Sequence, residues 1–180
     1  MPLIRSWLFV PGDSEAKMAK GRGGDADALI IDLEDSVADA RQDIARKLAN
    51  QFLKDNPDRS KQQLWVRINP LDHPFALADL SAVMSGRPDG IVLPKPYSAR
   101  EANLLSDYLD VLEVRDGIEP GATKIHVVAT ETAASLATFH TYLDRITPRL
   151  TAMTWGAEDL PAALGASSNR NPLTGQLDHP

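Results

Sequence analysis

Acidic side chains follow three of the apolar runs in the sequence, at the point where each run ends. They are Asp32, Glu34 and Asp35 after the first of these runs, Glu131 after a later one, and Glu158 with Asp159 after the last. Arg67 ends another run, and Lys95 stands between two prolines after the next. If the runs are parallel strands, their carboxyl ends share one edge, where α/β folds carry their active sites. The sequence therefore predicts a rim on which carboxylates, an arginine and a lysine converge.

This set of residue types suits a hard divalent cation. Two or three carboxylates without cysteine or clustered histidine favour Mg²⁺, with Mn²⁺ as a substitute. An arginine beside them suits bidentate capture of a substrate carboxylate. Gly156 and Ala157 open a predicted helix, whose free amides favour an anion. Together these features predict a site for a 2-oxo acid or an enolate, where a metal stabilises the negative charge that develops as a neighbouring C–C bond breaks.

Several of these residues also have a purely structural interpretation, which the sequence alone leaves open. A polar residue after a strand is often a helix cap, as expected for Ser14. Arg67 needs a carboxylate partner if it is buried, and Asp32 can supply it without any catalytic role. Lys95 is either a Schiff-base lysine or an exposed loop residue. His126, in an apolar run, is expected to be a satisfied core residue.

Short apolar runs alternate with longer helical patterns, and these elements must position the candidate residues. The predicted strands are Ser6–Val10, Ala28–Leu33, Leu64–Asn69, Gly90–Leu93, Ile125–Ala129 and Ala152–Trp155. Their nearly continuous apolar character is typical of a parallel sheet buried on both faces. A doubly wound nucleotide-binding sheet would carry a glycine fingerprint after its first strand, whereas the Gly21, Gly23 and Gly24 cluster precedes the second strand. The alternation therefore favours an α/β fold of the (β/α)8 TIM-barrel type.

Length limits how much of such a barrel the sequence can form. A full barrel takes about 250 residues, and the sequence has 180. We therefore predict a single, incomplete TIM-barrel domain over residues 1–180, truncated after about six βα units or belonging to a longer protein. The expected consequence is exposed edge strands.

Composition excludes several other classes of protein. The sequence has 19 basic and 25 acidic residues, a net charge of −6, which argues against a nucleic-acid binder because that needs a basic face. It has no cysteine, which removes disulfides and thiolate metal sites. No apolar run approaches the roughly 20 residues of a membrane span, and the start of the sequence does not resemble a signal peptide. These features predict a cytoplasmic protein without a membrane or nucleic-acid partner.

Six segments of the sequence, taken in order, resemble the HpcH/HpaI aldolase and citrate lyase β-subunit family, and within it the CoA-ester lyases. The segments are residues 5–13, 32–37, 66–70, 93–95, 131–133 and 155–160. The resemblance implies a TIM barrel of the phosphoenolpyruvate/pyruvate type that depends on Mg²⁺. It implies a lyase that cleaves or forms a 3-hydroxyacyl thioester, such as malyl-, citramalyl- or citryl-CoA, through an enolate. A 2-oxo acid or an acetyl thioester would be a product, the thioester carrier would be CoA or an acyl-carrier protein, and the enzyme would be a homotrimer or homohexamer.

The resemblance also implies the metal ligands. Glu131 and Asp159 would bind the metal, and Asp159 is preferred over Glu158 because the aspartate that closes the Gly-x-x-Asp pattern is the family ligand. Glu131 would also lie against the substrate. Arg67 would bind the substrate carboxylate or oxo oxygen and stabilise the enolate.

The remaining implied roles concern proton transfer and anion binding. Glu34 and Asp35 would lie near the metal-bound water and handle protons. The amides around Gly156, Ala157 and Glu158 would hold the carboxylate of the 2-oxo acid.

Three alternatives stay open beside the lyase. The first is a thioesterase, or an aldolase acting on free 2-oxo acids, with the same metal site. The second is a Schiff-base aldolase that uses Lys95. The third is a truncated, catalytically silent barrel that serves as a binding or assembly module.

Overall fold

The fold is one sheet of six parallel strands, each of which pairs with the next strand along the chain. The structure, a computed structural model, describes residues 4–177, so the predicted domain extends three residues beyond them at each end. The strands are β1 (Trp7–Pro11), β2 (Ala28–Asp32), β3 (Gln63–Arg67), β4 (Gly90–Leu93), β5 (Lys124–Val128) and β6 (Leu150–Thr154). The predicted strands differ from these bounds by at most two residues at either end.

Helices connect the strands. They are α1 (Glu15–Arg22), α2 (Gln42–Asp55), α3 (Ala76–Val83), α4 (Ala99–Asp116), α5 (Ala133–Thr138) and α6 (Asp159–Ala163), with 3₁₀ turns at Asp39–Arg41, Met84–Gly86 and Phe139–Leu143. Ser14 caps α1, as predicted, because its Oγ accepts the Lys17 amide at 3.4 Å. None of the helices within residues 4–177 is long and apolar enough to cross a bilayer.

The strand order distinguishes the two architectures that the sequence left in competition. A doubly wound sheet reverses its strand order part-way along. Here the order runs from β1 to β6 without reversal, as in a (β/α)8 barrel. Within the described part of the chain β1 and β6 are the two edges, so the sheet is an open arc of a barrel. Leu8 and Met153 on these edges are each 43% exposed, in line with the expected exposed edge strands.

The two faces of the sheet carry different kinds of core. The outer face packs against the helices through aliphatic side chains such as Leu29, Val66 and Ile91. The inner face carries Trp65 among smaller apolar residues, and Trp7 packs edge-on against it with the ring centroids 5.1 Å apart. Because side chains alternate along a strand, every second residue faces inward.

That alternation determines where the polar residues lie. Ile30 and Trp65 face inward, so Asp32 and Arg67, two positions further along their strands, face inward as well. Both are the last residues of their strands, at the carboxyl edge of the sheet. The inner face therefore changes from an aromatic core to a charged rim over two residues.

Candidate active site

Arg67 and Asp32 form a buried ion pair at this edge. They are register partners in β3 and β2. Arg67 Nε donates to Asp32 Oδ1 at 2.7 Å and Nη2 donates to Oδ2 at 2.8 Å, a bidentate geometry that orients the guanidinium. Burial alone would raise the pKa of Asp32, but the Arg67 hydrogen bonds and charge hold it below its usual value. The pairing that the sequence left open is therefore present.

The rest of the Arg67 guanidinium contacts two further carboxylates and an aromatic ring. Its Nη1 lies 2.9 Å from Glu34 Oε2 and 3.4 Å from Asp35 Oδ2. The Phe9 ring lies against one face, with its centroid 4.8 Å from Cζ. A substrate carboxylate that binds Arg67 must therefore share or displace the contact with Glu34. The predicted substrate-binding role of Arg67 remains a prediction.

Lys95 joins the same cluster from the end of β4. Its Nζ lies 2.5 Å from Glu34 Oε1 and 3.1 Å from Asp35 Oδ1, and its side chain is 30% exposed. Burial alone would lower the pKa of Lys95, but its bonds to Glu34 and then Asp35 raise it. The side chain is thus a paired ammonium and not the exposed loop lysine that the sequence suggested. A Schiff base requires a neutral amine, so this pairing counts against the Schiff-base alternative.

Glu131 lies three residues beyond β5 and is 5% exposed. Its Oε2 accepts a hydrogen bond from the Lys95 main-chain amide at 2.6 Å, and no donor within residues 4–177 contacts Oε1. The loop after β6 packs directly on it, since a Cβ on Gly156 would lie 2.5 Å from Glu131 Cγ. Only glycine at position 156 therefore permits this approach.

The electrostatic surroundings of Glu131 disfavour its charged form. Burial, with the negative charges of Glu34 and Asp159, raises the pKa of Glu131 to about 7 against the opposing hydrogen bond from the Lys95 amide. Burial also raises the pKa of Glu34, although Arg67 and Lys95 act in the other direction. The site therefore holds more negative charge than its own cations neutralise.

Asp159 and its neighbour Glu158 differ in their surroundings. Asp159 is the first residue of α6, and it is close enough for its charge to act on Glu131. The Glu158 side chain is exposed and pairs with Arg170 at 2.7 Å and with Asn169 at 3.0 Å. This difference supports the preference for Asp159 as the acidic partner of Glu131.

Two of the three main-chain amides proposed to hold a carboxylate already have acceptors. The Gly156 amide donates to Thr130 Oγ1 at 2.8 Å, and the Ala157 amide donates to the Trp155 carbonyl at 3.2 Å. A carboxylate bound here must replace both contacts, and at Glu158 only a main-chain role is open because the side chain is paired elsewhere.

The carboxylates of the site match the needs of a hard divalent cation. No three carboxylate or imidazole groups within residues 4–177 form a ready-made cluster. Mg²⁺ does not need one, because it keeps several waters and binds proteins through one or two carboxylates. Glu131 and Asp159 supply two, and a bound cation would offset the burial and the negative charges that raise the pKa of Glu131. The residues present therefore fit Mg²⁺.

Sequence reasoning missed the roles of Phe9 and Thr130 and misjudged Lys95. Phe9 lies two residues before the end of β1, and apart from its place in an apolar run nothing in the sequence indicated a contact with Arg67. Thr130 directly precedes Glu131 at a strand end, which was a usable signal. His126 is buried as expected, with Nε2 bonded to Thr154 Oγ1, but its Nδ1 has no hydrogen-bond partner among residues 4–177.

Residues 5–173 match the protein-family model described as HpcH/HpaI aldolase/citrate lyase. The chain belongs to this family. The citrate lyase subunit beta of Haemophilus influenzae is 34% identical, over 88% of this chain and 54% of that protein. The (3S)-malyl-CoA thioesterase of Cereibacter sphaeroides is 33% identical, over 91% of this chain and 52% of that protein.

A solved structure of the family has the same fold. It is the CitE protein of Mycobacterium tuberculosis in complex with magnesium and acetoacetate, with a TM-score of 0.74 and 30% identity over 99% of this chain and 66% of that one. The predicted barrel class is thereby confirmed. The chain spans about half the length of the curated family members it matches.

Proposed function

We propose that this chain carries the site of a Mg²⁺-dependent C–C lyase that acts on a 3-hydroxyacyl thioester. The observation that carries the proposal is the convergence, at one edge of the sheet, of the buried Glu131, the neighbouring charge of Asp159 and the carboxylate-bound Arg67. Two acids suited to a hard cation, next to a fixed guanidinium, can stabilise an oxyanion.

The metal would be held by Glu131 and Asp159. When bound, magnesium supplies a Lewis acid that stabilises negative charge on a substrate oxygen, and manganese can replace it. The Lys95 amide donates to Glu131 Oε2, so Oε1 would be the oxygen available to the metal. The CitE relative was solved with magnesium, which supports the same ion here.

Arg67 would bind the carboxylate or oxo oxygen of the substrate. Asp32 holds it in a fixed direction, so little side-chain entropy is lost when a substrate binds. Glu34 and Asp35 would handle the protons of the reaction. Burial raises the pKa of Glu34, which brings a carboxyl group closer to the range in which it can both accept and donate a proton near neutral pH.

The substrate class follows from the chemistry together with the named relatives. We infer a CoA or acyl-carrier-protein thioester of the malyl, citramalyl or citryl type, with a 2-oxo acid or an acetyl thioester as product. The thioesterase relative is named for malyl-CoA, and the CitE structure holds the oxo acid acetoacetate. In cleavage of malyl-CoA, the C–C bond breaks and its electron pair stays with the acetyl thioester as an enolate, which takes up a proton at carbon to give acetyl-CoA. The hydroxyl proton goes to a base as glyoxylate forms.

The proposal is tested by incubating the purified chain with malyl-CoA and Mg²⁺. We expect acetyl-CoA and glyoxylate in equal amounts, no reaction in EDTA, and no reaction for Glu131→Gln. Glu119→Gln, which removes the same charge from an exposed position, is the matched control and should retain activity. Cleavage that survives EDTA, or that Glu131→Gln retains, contradicts the proposal. A chain that binds Mn²⁺ without turning over any thioester supports the silent binding module instead.

Thioester hydrolysis is the second candidate, because one relative is named a (3S)-malyl-CoA thioesterase. The same assay distinguishes the two reactions, since hydrolysis releases free CoA thiol and malate while cleavage releases acetyl-CoA and glyoxylate. Free pyruvate with an aldehyde as products would identify an aldolase acting on free 2-oxo acids.

We also infer a cytoplasmic homo-oligomer, a trimer or hexamer, on the family resemblance. The absence of cysteine is compatible with a reducing compartment. Light scattering of the purified protein measures the assembly, and a monomer at all concentrations would contradict this inference.

A further inference from the structure

Lys95 contacts Glu131 on one side and Glu34 with Asp35 on the other. The proposed reaction gives Lys95 no role. It lies between Pro94 and Pro96 after β4. Proline has no amide hydrogen, so Lys95 has the only main-chain donor of the three residues. That donor is the one bonded to Glu131 Oε2 at 2.6 Å.

The backbone of Lys95 is strained, which indicates that its surroundings hold it in place. Its φ is +51°, in the left-handed region. A residue with a Cβ is disfavoured there because the Cβ lies too close to the following carbonyl oxygen. Within the described residues, the only other non-glycine residue with positive φ is Arg87, in the turn that closes the Met84–Gly86 segment. Strain of this kind persists where several contacts fix a conformation, and these often lie at functional sites.

The side chain of Lys95 extends from this fixed backbone to the loop after β2. Its ammonium contacts both Glu34 and Asp35, from the loop after β2, at 2.5 and 3.1 Å. The main chain of Lys95 thus contacts Glu131, the proposed metal ligand. Its side chain contacts Glu34 and Asp35, the proposed proton-transfer residues.

We propose that Lys95 is a positioning residue that holds Glu34 and Asp35 out of the metal coordination sphere while it orients Glu131. This inference rests on the proposed function. Without the ammonium, the two carboxylates would keep their contacts with Arg67 but lose the contact that holds their other oxygens. They would be freer to turn towards the cation, since hard cations prefer carboxylate oxygens. They would then fill the coordination positions that a 2-oxo acid needs. Lys95 would therefore keep the metal accessible to substrate, without touching the reacting atoms.

This role makes a prediction that a merely structural role does not. For Lys95→Met, Mn²⁺ should bind at least as tightly as to the wild type, because the site loses a positive charge and gains ligands. Binding of pyruvate to the Mn²⁺-loaded protein should weaken by about 10- to 100-fold, the usual range for residues that orient metal ligands. A structural role would instead lower thermal stability and weaken both ligands together.

Titration calorimetry with Mn²⁺, then with pyruvate, measures both affinities. Water proton relaxation on the Mn²⁺-loaded protein counts the exchangeable waters and should fall in Lys95→Met as carboxylates replace water. Lys95→Arg keeps a cation and should restore most of the pyruvate affinity. Lys47→Met removes the same charge from an exposed position of α2 and should change neither affinity.

Lys95→Gly keeps the amide donor and relieves the left-handed strain, so it reports on the ammonium even if Lys95→Met folds poorly. Pyruvate affinity within twofold of wild type in Lys95→Gly, or equal losses in Lys95→Met and Lys95→Arg, would overturn the inference. If wild type binds Mn²⁺ and pyruvate but the variants behave like wild type, only the role of Lys95 fails. If wild type binds neither, the proposed function fails with it.

Discussion

Two buried arginine–carboxylate clusters lie at opposite ends of the sheet, and their differences separate structural from functional electrostatics. At the amino end, Arg149 bonds Glu113 through Nη1 at 2.7 Å and through Nη2 at 2.6 Å. The Gly121 and Thr123 amides each donate to the same carboxylate at 2.8 Å. At the carboxyl end, Arg67 contacts three carboxylates.

The difference is visible in the protonation of the acids. Burial alone would raise the pKa of Glu113, but Arg149 and the two amides lower it to about 2. This carboxylate is therefore fully stabilised as an anion. Glu34 and Glu131 have raised pKa values in the other cluster. A cluster that only stabilises the fold satisfies its charges from within, whereas a site for a cation retains uncompensated acid. The predictions below test that contrast, starting with the largest effect.

Glu113→Ala should be the most destabilising change, because it removes the buried carboxylate that pairs with Arg149 and leaves that arginine only the exposed Asp110 as a carboxylate partner within residues 4–177. Breaking such a pair costs about 3–5 kcal/mol, which a denaturant titration measures as a lower free energy of unfolding. The folded variant should bind Mn²⁺ like the wild type. Loss of Mn²⁺ affinity in protein that is still folded would mean that the two clusters are not independent.

Arg67→Met should reduce both function and stability. It leaves Asp32 buried without its bidentate partner, although the Glu34 and Ser36 amides still donate to that carboxylate. Removal of one oxyanion-stabilising donor costs about 10²- to 10³-fold in kcat, and steady-state kinetics on malyl-CoA would measure that loss. Mn²⁺ affinity should be retained, because the nearby acids lose a competing cation. A variant with wild-type kcat would show that Arg67 serves only as the partner of Asp32.

Glu131 should make the metal-free protein less stable as pH rises from about 4.5 to about 7. Its pKa is raised from 4.5 in the unfolded chain to about 7 in the fold, so the unfolded chain ionises first and stability is lost through this window. The wild type should therefore lose about 3 kcal/mol relative to Glu131→Gln, because the pKa rises from 4.5 to about 7 and one pKa unit corresponds to about 1.4 kcal/mol. Denaturant titrations of both proteins at a series of pH values measure it. Parallel curves would contradict the raised pKa.

Gly156→Ala should have the smallest effect. The added methyl meets Glu131 Cγ at 2.5 Å and must displace it or the loop. We expect Mn²⁺ affinity to fall by about tenfold. Ala157→Ser, at the position after Gly156, serves as the control. Gly121→Ala cannot serve, because Gly121 has a positive φ that would strain an alanine. Unchanged affinity in Gly156→Ala would show that the position of Glu131 does not depend on this contact.

The sequence predicted those features of the fold that depend on local patterns. Continuous apolar runs identified all six strands, and the polar residues at their ends located the rim. The pairing of Asp32 with Arg67 was foreseeable because both end adjacent strands and face the same side.

The contacts of Lys95 were not foreseeable. They depend on a positive φ and on partners 36 to 61 residues away along the chain. No local pattern encodes the direction of a strained loop residue. Likewise, the divergence of Glu158 from Asp159 depends on Arg170, which pairs with Glu158 only because the chain returns after α6. The contacts of Lys95 and Glu158 therefore depend on long-range packing, which residue type and spacing do not specify.

The central claim is that Glu131 and Asp159 bind one divalent cation, and a crystal of the chain soaked in Mn²⁺ tests it most directly. Anomalous diffraction at the manganese edge locates the ion without reference to any assumed ligand. We predict one anomalous peak within about 2.0–2.3 Å of an oxygen of each carboxylate, on the side of Glu131 Oε1. A peak bound by other residues, or none at saturating Mn²⁺, would contradict the account.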